Sequence, residues 1–161
     1  MNYKMEYQPY SKKYKKIYSK LERELKENFG RNFDVHHIGS TAIPGVGGKG
    51  VVDILIGIDN WQEAEKLLPF LAELGFPQVE KKKGRIFVAK KEESRAGDCH
   101  FHIVLKESKE KRDLLKFRDL LRKDKKLRQQ YIRIKKERIS LEKGEQARYT
   151  KIKSDFIKKK F

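Results

Sequence analysis

The chain has little of several things, and each shortage excludes a class. It holds one cysteine, Cys99, in 161 residues. A lone thiol rules out an internal disulfide framework and a four-cysteine zinc ribbon, and its apolar surroundings read as those of a buried, inert group. No apolar run approaches the ~20 residues that span a bilayer. The opening Met1-Asn2-Tyr3-Lys4-Met5-Glu6 lacks the apolar stretch of a secretory leader. The expectation is a soluble, cytoplasmic protein with no membrane partner. Acidic residues are few beside basic ones, 23 against 40, for a formal charge of +17. The signatures G-x-S-x-G, C-x-x-C and H-E-x-x-H are missing. Gly45-Val46-Gly47-Gly48-Lys49-Gly50 is not a P-loop, because Ile43 and Gly50 stand where that motif needs glycine and Ser/Thr. It also leads into a strand, whereas a P-loop leads into a helix.

The positive charge that is present is concentrated at one end. Residues 106–161 hold 22 Lys and Arg against 9 Asp and Glu, whereas residues 1–105 hold 18 against 14. Such a field favours a polyanionic partner: a nucleotide, RNA, DNA or an acidic protein. The length suits one domain spanning 1–161, with a sheet-containing core over 1–105 and a basic helical section over 106–161. Exposed basic helices repel one another, so a monomer is expected.

Tyr10, Tyr14, Ile17, Tyr18, Leu21, Leu25 and Phe29 recur at helical spacing, with Pro9 suited to the first turn and Gly30 to the stop. A short extended stretch, Phe33 to Ile38, enters a glycine-rich loop. Val51 to Ile58 is the clearest strand, apolar on both alternations except at Asp53, as for a strand buried on both faces. Asn60 can cap a helix running to Leu74, with Pro69 inside it. Arg85 to Lys90 and Cys99 to Leu105 read as two further strands joined by a polar hairpin loop. Three helices should follow, around Leu114–Leu121, Leu127–Leu141 and Tyr149–Ile157. The layout is α+β, a mixed β-sheet flanked by helices with a helical C-terminal section.

Four groups of residues could carry chemistry. Gly39-Ser40-Thr41 follows a strand into a turn, where a glycine allows close backbone approach and hydroxyls and N–H groups can hold a phosphate. Asp53 lies mid-strand, where a carboxylate must be paired, hydrogen-bonded or metal-bound. Asp98, His100 and His102 share one face of a strand, the imidazoles about 6–7 Å apart. That spacing suits a metal, two phosphate oxygens, or a general acid and its partner. His36 and His37 point to opposite faces, so only one of them can reach any given site. Arg85 and Lys90 could neutralise phosphate, while Lys81, Lys82 and Lys83 read as a solvated turn.

These residues resemble the GrpB family, placed in the polymerase-beta-type nucleotidyltransferase superfamily. His37-Ile38-Gly39-Ser40-Thr41-Ala42-Ile43-Pro44-Gly45, Lys49 with Val51-Val52-Asp53-Ile54, His100-Phe101-His102-Ile103, Phe117-Arg118-Asp119-Leu120-Leu121-Arg122 and Tyr149-Thr150-Lys151-Ile152-Lys153 carry the resemblance through almost the whole chain. It implies a nucleotidyltransferase-like fold in which a Gly-Ser turn binds the triphosphate and carboxylates hold divalent metals. Gly39 and Ser40 match that turn, with Thr41 and Lys49 beside them on the phosphate. Asp53 matches the first carboxylate, but Leu55 stands in the place of the second. The resemblance thus implies an NTP ligand and Mg²⁺ or Mn²⁺ on Asp53 and His102. It also implies a catalytic set of Asp53, His100 and His102, with His37 and Asp98 as further candidates and an incomplete carboxylate complement. Two readings stay open: nucleotidyl transfer to an acceptor, or nucleotide or nucleic-acid binding without catalysis. In the second, Tyr131 and Tyr149 on the basic C-terminal helices could stack on RNA or DNA bases.

Overall fold

The computed structural model describes residues 6–91 and 94–140. Helix α1 spans Lys13–Phe29, later than Pro9 suggests, and ends where Gly30 turns to a φ of 111° and donates to the Lys26 carbonyl. Strand β1 is Asp34–Ile38 and β2 is Val52–Ile58. Asn60 caps the next turn as expected, accepting from the Glu63 N–H at 3.3 Å, and α2 follows over Ala64–Glu73 with Pro69 inside it. Strands β3 (Gln78–Lys82), β4 (Arg85–Ala89) and β5 (Cys99–Leu105) complete one sheet. Helices α3 (Lys109–Lys123) and α4 (Lys125–Ser140) follow, with Asp124 between them accepting from the Leu127 N–H at 3.0 Å. The expected helix over Tyr149–Ile157 lies outside the described residues.

The sheet order is β1-β2-β5-β4-β3. Only β2 and β5 run parallel, and the other neighbouring pairs are antiparallel. A parallel pair needs a crossover, and here α2 and the β3–β4 hairpin supply it. The α+β expectation is borne out, with one strand missed. All five residues of β3 are exposed, so this edge strand buries no face and leaves no alternation to read. Lys81 and Lys82 therefore lie in a strand, and only Lys83 falls in the turn with Gly84.

Strand alternation divides the sheet into two faces. On one, Val52, Ile54, Ile56, Ile58, Phe101 and Ile103 pack against Tyr14 and Leu25 of α1 and Leu67 and Leu71 of α2. On the other, Leu55, Ile38 and Val104 pack against Leu114 and Leu115 of α3. A third cluster joins Ile43 and Val46 of the glycine-rich loop to Leu121, Leu127 and Tyr131, which holds the loop to α3 and α4. Tyr131 is 2% exposed and packs edge-on against Phe117. Its ring is thus core and cannot stack on a base, a correction to the sequence expectation. Tyr149 lies outside the described residues.

Candidate functional site

Asp53 is the second residue of β2 and pairs with Ile38 of β1 and His100 of β5. Alternation puts Asp53, His100 and His102 on the α3 side of the sheet, as expected for the histidines. His102 Nε2 lies 3.0 Å from Asp53 Oδ1, and His100 Nδ1 lies 3.8 Å from it. Phe87 of β4 sits edge-on to both imidazoles, with centroids 4.8 and 5.6 Å away. This aromatic ring covers the side of the two imidazoles away from β2.

Arg85 Nη1 reaches His102 Nδ1 at 3.1 Å, and the same guanidinium is held by Glu110 Oε1, its Nε at 2.6 Å. A guanidinium only donates, so His102 Nδ1 accepts and Nε2 carries the proton that goes to Asp53. The result is a chain of hydrogen bonds from Glu110 through Arg85 and His102 to Asp53. His100 is held on its other nitrogen, Nε2, by Ser94 Oγ at 2.5 Å.

The phosphate-type turn lies directly over the carboxylate. Gly39 has φ 74° and ψ −175°, a region essentially reserved for glycine. A Cβ there would fall 2.5 Å from Asp53 Oδ2, so only glycine lets the backbone come this close. Ser40–Ala42 follows as a single 3-10 turn with Ser40 and Thr41 buried. Gly48 is also closely packed, though less tightly, a Cβ there lying 3.0 Å from Ser40 Oγ and 3.1 Å from Lys135 Nζ. The loop is pinned on its outer side. Gln8 and Gly48 exchange two backbone hydrogen bonds of 2.7 and 2.9 Å, and the Gly47 N–H donates to Tyr7 Oη at 3.0 Å.

The charges are unevenly balanced. Burial pushes the Asp53 carboxyl up, but the His102 hydrogen bond, with the electrostatic influence of the two imidazoles and Lys135, outweighs it and holds it below its ordinary value. Burial and the neighbouring Arg138 push the Lys49 ammonium down, opposed by Asp53. His100 is also pushed down by burial, again opposed by Asp53.

The structure therefore brings together Gly39, Ser40, Lys49, Asp53, His100, His102 and Arg85. It separates the others. His37 lies on the opposite face, stacked on Tyr18 at 4.8 Å, with Nε2 2.9 Å from Thr41 Oγ1. The Thr41 hydroxyl is thus engaged on the α1 side, where both residues line a cavity of about 590 Å³ with Arg122 and Arg128. His36 does not reach Asp53 either, since its Nε2 is bound to Asp34 at 2.8 Å. Asp98 Oδ2 accepts from the Arg95 N–H at 2.7 Å and shapes the loop before β5. Lys90 is exposed just past the end of β4. Sequence reasoning missed Lys135, Arg138, Phe87, Ser94 and Glu110. Strand parity with Arg85 could have found Phe87, but the two α4 cations lie in a basic helix whose other cations look the same.

The donor set does not fit the expected metals. Mg²⁺ requires oxygen ligands, and the cluster offers a single carboxylate. Leu55 shares the Asp53 face and pairs with His102, but its aliphatic side chain is packed against Ile38 and Val104 and offers no ligand atom. His102 cannot serve as a ligand as placed, because Nδ1 accepts from Arg85 and Nε2 donates to Asp53. A metal-bound imidazole instead donates its second N–H outward to an acceptor. Among the described residues no group of three or more His, Cys, Asp or Glu is arranged to hold a metal ion. No described helix is long and apolar enough to cross a membrane.

The GrpB protein family model matches residues 4–161. A UPF0157 protein of Streptomyces coelicolor is 30% identical over 128 residues, which cover 80% of this chain and 67% of that one. A UPF0157 protein of Vibrio cholerae is 34% identical over 125 residues, 78% of this chain and 64% of that one. The chain thus spans about two thirds of the length of these relatives. Among solved structures, the GrpB protein of Enterococcus faecalis superposes with a TM-score of 0.75 at 22% identity, covering 96% of this chain and 98% of that one. The Cid1 poly(U) polymerase superposes with a TM-score of 0.51 at 15% identity, over 81% of this chain and 41% of that one. The sheet, the Gly39-Ser40 turn against Asp53 and the match along nearly the full length agree: the chain belongs to the GrpB family, with a nucleotidyltransferase-like fold.

Proposed function

We propose that the Gly39-Ser40 turn against Asp53 binds a nucleoside triphosphate through its phosphates. The carrying observation is the turn in which Gly39 lies against Asp53 while Gly48 brings Ser40 Oγ and Lys135 Nζ to the same spot. A hydroxyl, close-packed backbone and ammonium groups are what a phosphate chain requires. The likeness in fold to the Cid1 poly(U) polymerase, crystallised with Mg 3′-dATP, supports a nucleotide over other anions. Transfer of the nucleotidyl group to an acceptor hydroxyl is the further step this fold could support.

Thermal melting against ATP, GTP, CTP and UTP, each with EDTA, Mg²⁺ or Mn²⁺, tests the reading. A nucleotide at 100 times its dissociation constant adds about 2.7 kcal/mol, a rise on the order of 5–10 °C at this size. No shift with any nucleotide sinks the reading. RNA or DNA binding along α4 is the second reading, favoured by the exposed Lys125, Lys126, Arg133 and Lys136. Its affinity would fall steeply with salt and would survive Asp53→Asn.

A further inference from the structure

Two cations, Lys49 and Lys135, act on Asp53, and a third, Arg138, lies beside Lys49. Lys49 comes from the glycine-rich loop, and Lys135 and Arg138 sit three apart on α4, one above the other on a single helix face. Lys135 acts electrostatically on Asp53, and Arg138 on Lys49. Arg138 Nε is buried without a hydrogen-bond partner among the described residues. A buried donor left unmade is costly and calls for a missing acceptor. The acceptor these groups jointly select is an anion with several oxygens.

The carboxylate chemistry points the same way. In the metal-dependent arrangement a carboxylate pair binds cations, and those cations bind the phosphates. Here the second carboxylate position is core, and His102 is held by Arg85 with its Nε2–H donating to Asp53. The positive charge is supplied by side chains instead. We infer that this site holds its phosphate ligand without a metal, with Lys49, Lys135 and Arg138 taking the place of the divalent ions. This rests on the nucleotide reading for the identity of the ligand, while the metal-free chemistry is argued from the residues alone. Asp53 then serves to orient His102 and to offset the lysines. Facing a phosphate directly, it weakens binding.

The two arrangements predict opposite effects of Asp53→Asn. If a metal bridges carboxylate and phosphate, the substitution abolishes binding. If ammonium and guanidinium groups hold the phosphate, it removes a repulsion and affinity is unchanged or higher. Calorimetric titration with ATP and with inorganic tripolyphosphate, in EDTA and in Mg²⁺, distinguishes them. The expected result is binding in EDTA within about threefold of that in Mg²⁺. It should weaken about tenfold or more in Lys135→Gln and Arg138→Gln, the usual scale for one charge-assisted hydrogen bond, and persist in Asp53→Asn. Circular dichroism checks that each variant is folded, and Lys49→Gln stands in for an α4 variant that is not.

Binding of either compound only with metal, lost in Asp53→Asn, overturns the inference. So does metal-free binding that none of the three cation variants weakens. Tripolyphosphate binding in EDTA with no nucleotide bound would refute the nucleotide reading and leave this inference standing. No binding of any phosphate compound would refute both.

Discussion

His37 should make the protein lose stability as the solution is acidified, and the size of that loss follows from its surroundings. The imidazole is 7% exposed, stacked nearly parallel on Tyr18 and bonded to Thr41. Burial, and after it the charge of Arg122, push its pKa from 6.5 down to about 4, with Asp53 opposing. The folded state thus prefers the neutral ring, while the unfolded chain takes up a proton as pH falls through 6.5. Between those values the unfolded state binds more protons, so stability rises with pH and falls on acidification. The linkage works out at about 1.4 kcal/mol lost by pH 5.5 and about 3 kcal/mol by pH 4, relative to pH 7.5.

His37→Gln keeps a polar group near Thr41 but does not titrate. The assay is urea unfolding of both proteins at pH 7.5, 5.5 and 4, comparing the change with pH rather than the absolute stability. Other carboxyls titrate in both proteins and cancel in the comparison. Wild type should converge on, or fall below, the variant by those amounts. Curves parallel within about 0.5 kcal/mol down to pH 4 would refute the burial argument, since each pKa unit is worth about 1.4 kcal/mol.

Gly39→Ala places a methyl group against Asp53 Oδ2 in a backbone region closed to alanine. It should cost about 2–4 kcal/mol, roughly 5–15 °C in a thermal melt, and an unchanged melting temperature would contradict the close approach. Leu55→Asp restores the D-x-D spacing on paper but buries a charge among Ile38, Val104, Leu114 and Leu115. Urea unfolding should show a loss of about 3–5 kcal/mol, with no gain of Mn²⁺ affinity by calorimetry, and a stable variant that binds Mn²⁺ would reverse the reading of this position. Nitrogen-15 NMR should find His102 protonated at Nε2 in the wild type and exchanging between tautomers in Arg85→Ala. A wild-type spectrum with the proton on Nδ1 would break the proposed hydrogen-bond chain.

Much of the framework was legible in the chain itself because it rests on local periodicity. The β-branched run of β2, the helical spacing of α1, the Asn60 cap and the shared parity of His100 and His102 each follow from side chains a few residues apart. The lone Asp53 in an apolar strand marked the site, because a half-buried carboxylate must have partners. Which partners it has was settled only by the fold. The register of β2 against β5 sets His102 on the carboxylate, β4 brings Arg85 to its other nitrogen, and α4 carries Lys135 and Arg138 across from more than 80 residues away in the chain. The same contacts sent His37 and Thr41 to the far face and Tyr131 into the core. The all-exposed edge strand β3 left no pattern to find. Short-range spacing determines which face a residue occupies on its own element. Long-range packing decides what lies opposite that face, and here it brought Lys135 of α4 to act on Asp53 of β2.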